Sequence, residues 1–385
     1  PKPGTAKWRR LGIPTVRDRV VQAALKLVLE PLFEADFLPC SYGFRPNRRA
    51  QDALAEIHTL CSRSYEWVVE GDIKACFDEI DHAALMRRVR ERIGDKRVLA
   101  LIKAFCKAGL LTEAGQQEDT PAGTPQGGIL SPLLANIALS GLDAHFAQAW
   151  EAMGTTSSAR QARRRQGLAT YRLVRYADDF VVVVAGTRDH ADTLRTEVDA
   201  VIQPMGLRLS EEKTTMAHID QGFEFLGFRI QRHRKRGTRR RYVYTWPCKT
   251  ALATVKARVR TLTRTGRDLP LTALLHQLNP VLRGWTAYFQ YGGVEGELQR
   301  PPRVYLAESG VLAAPQTLPS KLEDTARSLS ARVVAHAERR DAVQPGRGAG
   351  FSLPVPQSNR VTVVRAGLMV ASLRPSRTCR EPDAW

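Results

Sequence analysis

The stretch Tyr171–Val184, YRLVRYADDFVVVV, constrains this chain more than any other. It sets two adjacent carboxylates, Asp178 and Asp179, between two β-branched apolar runs, which predicts two strands joined by a tight turn at Ala177, Asp178 and Asp179. Neighbouring acids at the tip of an apolar hairpin repel each other and lose hydration, a cost that a bound cation offsets. A second run, Trp67–Ile73 (WVVEGDI), predicts a strand with Asp72 near its end. Acids from two neighbouring strands are the hard oxygen donors that Mg²⁺ takes, commonly one or two carboxylates completed by substrate phosphates, and the expectation is a site for two such ions. The alternative is that Asp-Asp merely satisfies turn geometry, which Asp favours by itself.

Around these strands the pattern is mixed α and β. Apolar residues at 20, 21, 24, 25, 28 and 29 predict a helix with a buried face over Val16–Leu29, ended by Pro31. Asp81 stands where it would cap a helix over His82–Ile93. Thr120–Gly128 (TPAGTPQGG) predicts a loop and Ile129–Ala149 a helix. Thr250–Leu262 and Leu271–Leu282 predict two amphipathic helices split by a polar turn at Gly266–Pro270.

Fifty-eight Lys and Arg against 39 Asp and Glu leave the 385-residue chain at +19, the sign that phosphate backbones attract. The first 296 residues alone hold 45 basic and 31 acidic side chains, so the globular part itself is cationic. Arg229–Arg241 carries eight basic residues and no acid, with Tyr242, Tyr244 and Trp246 following, a pattern that neutralises phosphate and offers rings to unpaired bases. Solvated surface charge is the alternative. No run of 18 apolar residues and no signal-like amino end is present, so the expectation is a cytoplasmic protein with no membrane partner. The six cysteines form no Cys-x-x-Cys pair and read as reduced thiols. The last 89 residues hold nine prolines and three aromatics and predict a poorly packed tail.

The ordered blocks Asp72-Ile-Lys-Ala-Cys-Phe77, Thr124-Pro-Gln-Gly127, Tyr176-Ala-Asp-Asp179, Leu209–Thr214 (LSEEKT) and Phe223–Phe228 (FEFLGF) resemble those of a reverse transcriptase. Leu278–Phe289 (LNPVLRGWTAYF) resembles the maturase segment of bacterial group II intron-encoded proteins. Leu11–Ala24 and Cys40–Arg45 (CSYGFR) look like further blocks of that lineage. The resemblance covers about residues 7–296. It implies an α+β fold: a right-hand polymerase palm of antiparallel sheet backed by helices, with partial fingers and a helical thumb and maturase region. The expected division is partial fingers and the start of the palm at 1–66, palm at 67–245, thumb and maturase helices at 246–296, and the atypical tail at 297–385.

Carried over by position, the resemblance gives Asp72 and Asp178 as metal ligands, Ile73 as a carbonyl ligand and Asp179 as a weaker third acid. Phe77 would lie beneath the incoming sugar and reject a ribose by steric clash, or else be a core aromatic. Gln126 would sit near nucleotide and template, or else in a plain connector. Lys7 and Arg9 would meet the triphosphate, or else be solvated. Lys213 would be an active-site cation, or else a surface partner of Glu211 and Glu212. Phe225, Leu226 and Gly227 look like the turn that positions a primer, or else a buried strand pair. Arg234, Lys235, Arg236, Arg239, Arg240, Arg241 and Arg258 would bind primer or RNA, whereas Trp285, Tyr288 and Phe289 are expected to pack between helices.

The implied function is an RNA-directed DNA polymerase of the group II intron type, Mg²⁺-dependent, with intron RNA, an RNA template with DNA primer and dNTPs as partners, and with a role in splicing. The rivals are a non-polymerising maturase that binds RNA and a decayed product. Relatives of this kind begin with further fingers residues and often end in a basic DNA-binding segment or a His-Asn-His nuclease. Neither is read here, so the expectation is a fragment or remnant without endonuclease.

Overall fold

The computed structural model describes residues 12–111, 117–235, 237–266 and 268–290, all within the compact unit Pro1–Ala314. In chain order these form α1 (Val16–Glu34), α2 (Ala50–Cys61), β1 (Trp67–Asp72), α3 (Cys76–Glu79), α4 (His82–Arg90), α5 (Lys96–Cys106), the short pair β2 (Leu110–Leu111) and β3 (Gln117–Glu118), α6 (Ser131–Ala152), α7 (Ser157–Arg165), β4 (Thr170–Tyr176), β5 (Asp179–Ala185) and α8 (Arg188–Ile202). They continue with β6 (Thr215–His218), β7 (Phe223–Phe225), β8 (Phe228–Arg234), β9 (Arg241–Pro247), α9 (Lys249–Thr265) and α10 (Leu271–Phe289). Lys7, Arg9, Arg236 and the tail at 297–385 lie outside the described residues.

The central sheet is antiparallel, in the order β4-β5-β1-β6. Successive side chains of a strand point to opposite faces, and both faces are covered here. Phe180, Val182 and Val184 enter one core with Leu85, Leu134, Leu139 and Val198, from α4, α6 and α8. Val181 and Val183 enter a second with Val68, Val174, Ile57 of α2 and Phe228 and Ile230 of a three-stranded sheet ordered β7-β8-β9. Burial on both sides explains why β5 is an unbroken apolar run rather than an alternating one.

The expected Asp81 cap is present: its Oδ1 accepts the Ala84 amide at 2.7 Å. Pro31 does not end α1, which runs three residues further with Pro31 inside it. The proline deprives the Leu27 carbonyl of its helical donor, and Leu27 is exposed, so water can take that place. The buried positions of α1 are Gln22, Leu29 and Phe33, while Val20 and Val28 of the predicted apolar face are 65% and 66% exposed. The basic run Arg229–Arg241 forms most of the β8–β9 hairpin, because Phe228, Ile230 and Val243 alternate with its polar residues and face the second core. Cys40, Cys61, Cys76, Cys106 and Cys248 are buried free thiols. Among the described residues no helix is long and apolar enough to cross a membrane.

Candidate active site

Strand register brings the acids together. Asp72, the last residue of β1, pairs with Asp179, the first of β5, which also pairs with Tyr176 across the hairpin. The turn is therefore the two residues Ala177 and Asp178, with Asp179 inside the strand rather than at the tip. Beyond Asp72 the chain is stitched to the Leu209–Thr214 segment. Ile73 bridges Leu209, with the Lys74 amide donating to Arg208 O at 3.0 Å and the Ser210 amide to Asp72 O at 2.8 Å. Neither bond uses the Ile73 carbonyl. A tight turn from Ser210 then returns Lys213, whose Nζ donates to Asp72 Oδ2 at 2.8 Å. Lys213 is thus ion-paired with Asp72 at the end of β1, across 141 residues of sequence.

The electrostatics agree with this convergence. The buried Cys76 thiol at the start of α3 is pushed up to about 12, by burial first and then by the field of Asp178, with Arg175 opposing and Asp78 and Asp72 adding to it. Acids of β1, of α3 itself and of the β4–β5 turn are thus all within electrostatic range of one thiol. Asp179 is exposed and acts on a different group: Glu70 is pushed up to about 7, by burial first, then, against the Thr215 hydrogen bond, by Glu224 and Asp179. Among the described residues no three His, Cys, Asp or Glu side chains form a metal cage by themselves. A hard cation completed by substrate phosphates needs no such cage, and the donor set of acids beside a carbonyl suits it.

The loop 119–130 lies against α3. The Thr124 amide donates to Phe77 O at 2.6 Å, the Gly123 amide to Ile80 O at 2.7 Å, and Gln126 Nε2 to Asp78 Oδ2 at 3.4 Å. Phe77 is half-buried, its ring edge-on to the exposed Phe44 at 6.2 Å, so it is not sealed within the core. Phe225, Leu226 and Gly227 close the β7–β8 hairpin, with Phe225 paired to Phe228. The basic tip at 235–240 is at the opposite end of β8, roughly 20 Å away at the rise of a strand. There Arg234 Nε donates to Thr238 O and Arg241 pairs with Asp220, while Arg239 and Arg240 are exposed. Arg232, within the same run, is held by Asp220 and Glu66. Arg258 is exposed on α9. The tip is thus at the far end of its hairpin from the Phe225-Leu226-Gly227 turn.

Two features of this site escaped the sequence reading. Arg175 is fully buried, and all five of its N–H groups are used: two on Asp143 at 2.7 and 2.5 Å, and one each on Asn136 Oδ1, Ser41 Oγ and Ala177 O. It therefore ties the acid-bearing turn to α6 and to the loop before α2. Ala177 has φ +58, a backbone region costly for a residue with a Cβ, and the Arg175 bond to its carbonyl helps hold it there. The second feature is Gly43, where an added Cβ would lie 2.2 Å from the Ala177 nitrogen. Gly43→Ala must push the turn and the 40–45 loop apart. The expected cost is about 1–3 kcal/mol, read as a lower denaturant midpoint, and an unchanged midpoint would show that the contact is slack. The only sequence signal for Arg175 was a charge, one of two with Arg172, within an otherwise apolar and aromatic strand.

An antiparallel sheet that gathers carboxylates at one end, backed by helices and followed by a helical pair, is the palm of a right-hand polymerase. The chain belongs to the reverse transcriptase family: residues 1–230 match the family described as Reverse transcriptase (RNA-dependent DNA polymerase). Residues 252–300 match the Group II intron, maturase-specific domain. Protein YkfC of Escherichia coli (strain K12) is 37% identical over 261 residues, covering 63% of this chain and 68% of YkfC. Group II intron-encoded protein LtrA of Lactococcus lactis subsp. cremoris is 36% identical over 284 residues, covering 62% of this chain and 47% of LtrA. The chain thus spans about half the length of LtrA. Among solved structures, telomerase from Candida albicans in complex with a fragment of telomeric RNA gives a TM-score of 0.43 at 13% identity, covering 70% of this chain and 47% of that one.

Proposed function

We propose that this chain is an RNA-directed DNA polymerase of the group II intron type, extending a DNA primer on an RNA template from dNTPs with Mg²⁺, and that it also binds intron RNA in support of splicing. The observation that carries this reading is the pairing of Asp72 with Asp179 beside the Asp178 turn, with Lys213 on Asp72. Asp72, Asp178 and the Ile73 carbonyl would hold two magnesium ions, with Asp179 in a lesser role. Bound there, magnesium would supply a lowered pKa for the primer hydroxyl and charge for the departing pyrophosphate. Phe77 would exclude a 2′-hydroxyl by bulk, and Gln126 would orient the templating pair from a loop anchored on α3. Lys213 would offset phosphate charge, as would Lys7 and Arg9 upstream. The turn Phe225-Leu226-Gly227 would seat the primer end.

The test is extension of a labelled DNA primer on an RNA template with Mg²⁺. Growth that requires RNA template and dNTPs and vanishes in Asp178→Ala supports the reading, whereas wild-type signal no higher than that of Asp178→Ala contradicts it. The maturase-specific match at 252–300, together with exposed Arg258, Arg260 and Arg264 on α9, favours an RNA-binding role that would survive such a failure. Replacing Arg239 and Arg240 with Gln should lower the slope of log K against log salt by about 1.4 on single-stranded RNA, if each neutralises one phosphate. An unchanged slope would remove the hairpin tip from the RNA-binding surface.

A further inference from the structure

The β7–β8 turn is held from outside its own sheet. Leu226 and Gly227 have φ +50 and +77, and the first of these is costly for a residue with a Cβ. Both turn carbonyls have partners in the helical region. Gly227 O accepts the amide of Cys248, the cap residue of α9, at 2.9 Å, and Leu226 O accepts the Tyr288 hydroxyl of α10 at 3.0 Å. The Tyr288 ring also lies on Phe228, the residue after the turn, at 5.6 Å between centroids, and Phe289 lies on the same ring at 4.7 Å. A Cβ on Gly227 would sit 3.5 Å from the Phe289 ring. Gln51 of α2 donates to Tyr288 O at 2.9 Å and fixes this end of α10 from the palm side.

The β7–β8 turn and the acid-bearing hairpin share one apolar core, since Leu226 and Tyr176 both pack against the cluster that holds Phe228 and Phe289. The Tyr288 phenol is pushed above its ordinary value by burial first and by Tyr176 second, and Tyr176 is the residue before the Ala177–Asp178 turn. One side chain of the maturase-specific segment therefore holds the β7–β8 turn by hydrogen bond and interacts with the last residue of β4, which leads into the Asp178 turn.

We propose that Tyr288 is a positioning residue of the polymerase centre: its hydroxyl holds the Leu226 carbonyl, and so sets the primer-seating turn relative to the Asp178 hairpin. This rests on the polymerase reading and adds to it that the α10 segment is part of the polymerase geometry as well as of any RNA-binding surface. Aromatic packing of Trp285, Tyr288 and Phe289 is thus directed at the β7–β8 sheet, not confined to the space between helices.

Tyr288→Phe removes the hydroxyl and keeps the ring on Phe228. In the full chain, primer extension at varied primer–template and at varied dNTP separates positioning from general damage. The expected result is a KM for primer–template raised about 3- to 10-fold, the loss of one hydrogen bond. The dNTP KM at saturating primer–template, the melting temperature and the affinity for single-stranded RNA should be unchanged. Amide exchange at residues 225–228 should be faster than in wild type. If wild type extends and Tyr288→Phe shows the same primer–template KM, the positioning role is wrong while the polymerase reading stands. If all parameters fall together with the melting temperature, Tyr288 is only structural and the proposal is again overturned. If wild type extends no better than Asp178→Ala, the polymerase reading fails and the proposal with it.

Discussion

Asp178→Ala should reduce primer extension by at least about 10³-fold while leaving RNA affinity within about twofold. A carboxylate that holds a catalytic cation contributes several kcal/mol to the transition state, and each 1.36 kcal/mol is a factor of ten in rate. Asp178 is half-buried in a two-residue turn and shares its surroundings with Asp72 and Asp78, both of which act with it on the Cys76 thiol. Removing one negative charge from such a group relieves repulsion with Asp72 and Asp78, so any loss of stability should stay below about 2 kcal/mol, far short of the loss in rate. Rate loss far beyond stability loss is the signature of a residue that acts on substrate. Asp179→Ala should cost less, because Asp179 is exposed and its field falls on Glu70. Equal losses for the two acids would contradict their division of roles.

Arg175→Met should destabilise the fold by about 3–5 kcal/mol, since it leaves the carboxylate of Asp143, 1% exposed, without its buried partner. The change is measurable as a fall in the urea midpoint. It should also slow extension at temperatures where the variant is still folded, because the Ala177 carbonyl loses its donor. Arg175→Lys should not rescue either property: an ammonium has three donors and no planar fork, where five bonds are needed. The double change Arg175→Met with Asp143→Leu removes both buried charges and should recover part of the stability, yet not the rate. Recovery of both would show that Arg175 only balances charge. A single Arg175→Met variant within about 1 kcal/mol of wild type would show that the pair is not a breakable buried ion pair at all.

The parts of this fold that depend on neighbours in sequence were legible, and those that depend on distant partners were not. The two strands and the turn between them followed from β-branched runs around Asp178 and Asp179, and the Asp81 cap from one residue before a helical period. Lys213 had two readings because Glu211 and Glu212 stand beside it in sequence; only the Ile73–Leu209 bridge turns it to Asp72. Arg175 was unreadable for the same reason, since its carboxylate partner lies 32 residues earlier and Ser41 134 residues earlier. Pro31 would end α1 by the sequence pattern, but a proline near an exposed last turn loses one bond that water replaces. The arginines of 229–241 disguised a hairpin, because the apolar residues that alternate with them are few and the charged side chains dominate the composition. Trp285, Tyr288 and Phe289 are expected between helices, but Tyr288 and Phe289 lie on Phe228 of β8, with Trp285 on Phe289.

The central claim, that Asp72 and Asp178 converge to grip divalent ions at the primer end, is tested most directly by titrating Mn²⁺ into the full chain with primer–template and a non-reactive dNTP analogue. Bound Mn²⁺ is counted by electron paramagnetic resonance. Wild type should bind two ions in the ternary complex, Asp72→Asn and Asp178→Asn should each lose at least one, and a surface change such as Glu91→Gln should lose none. Equal Mn²⁺ occupancy in wild type and both site variants, with primer–template still bound, would contradict it.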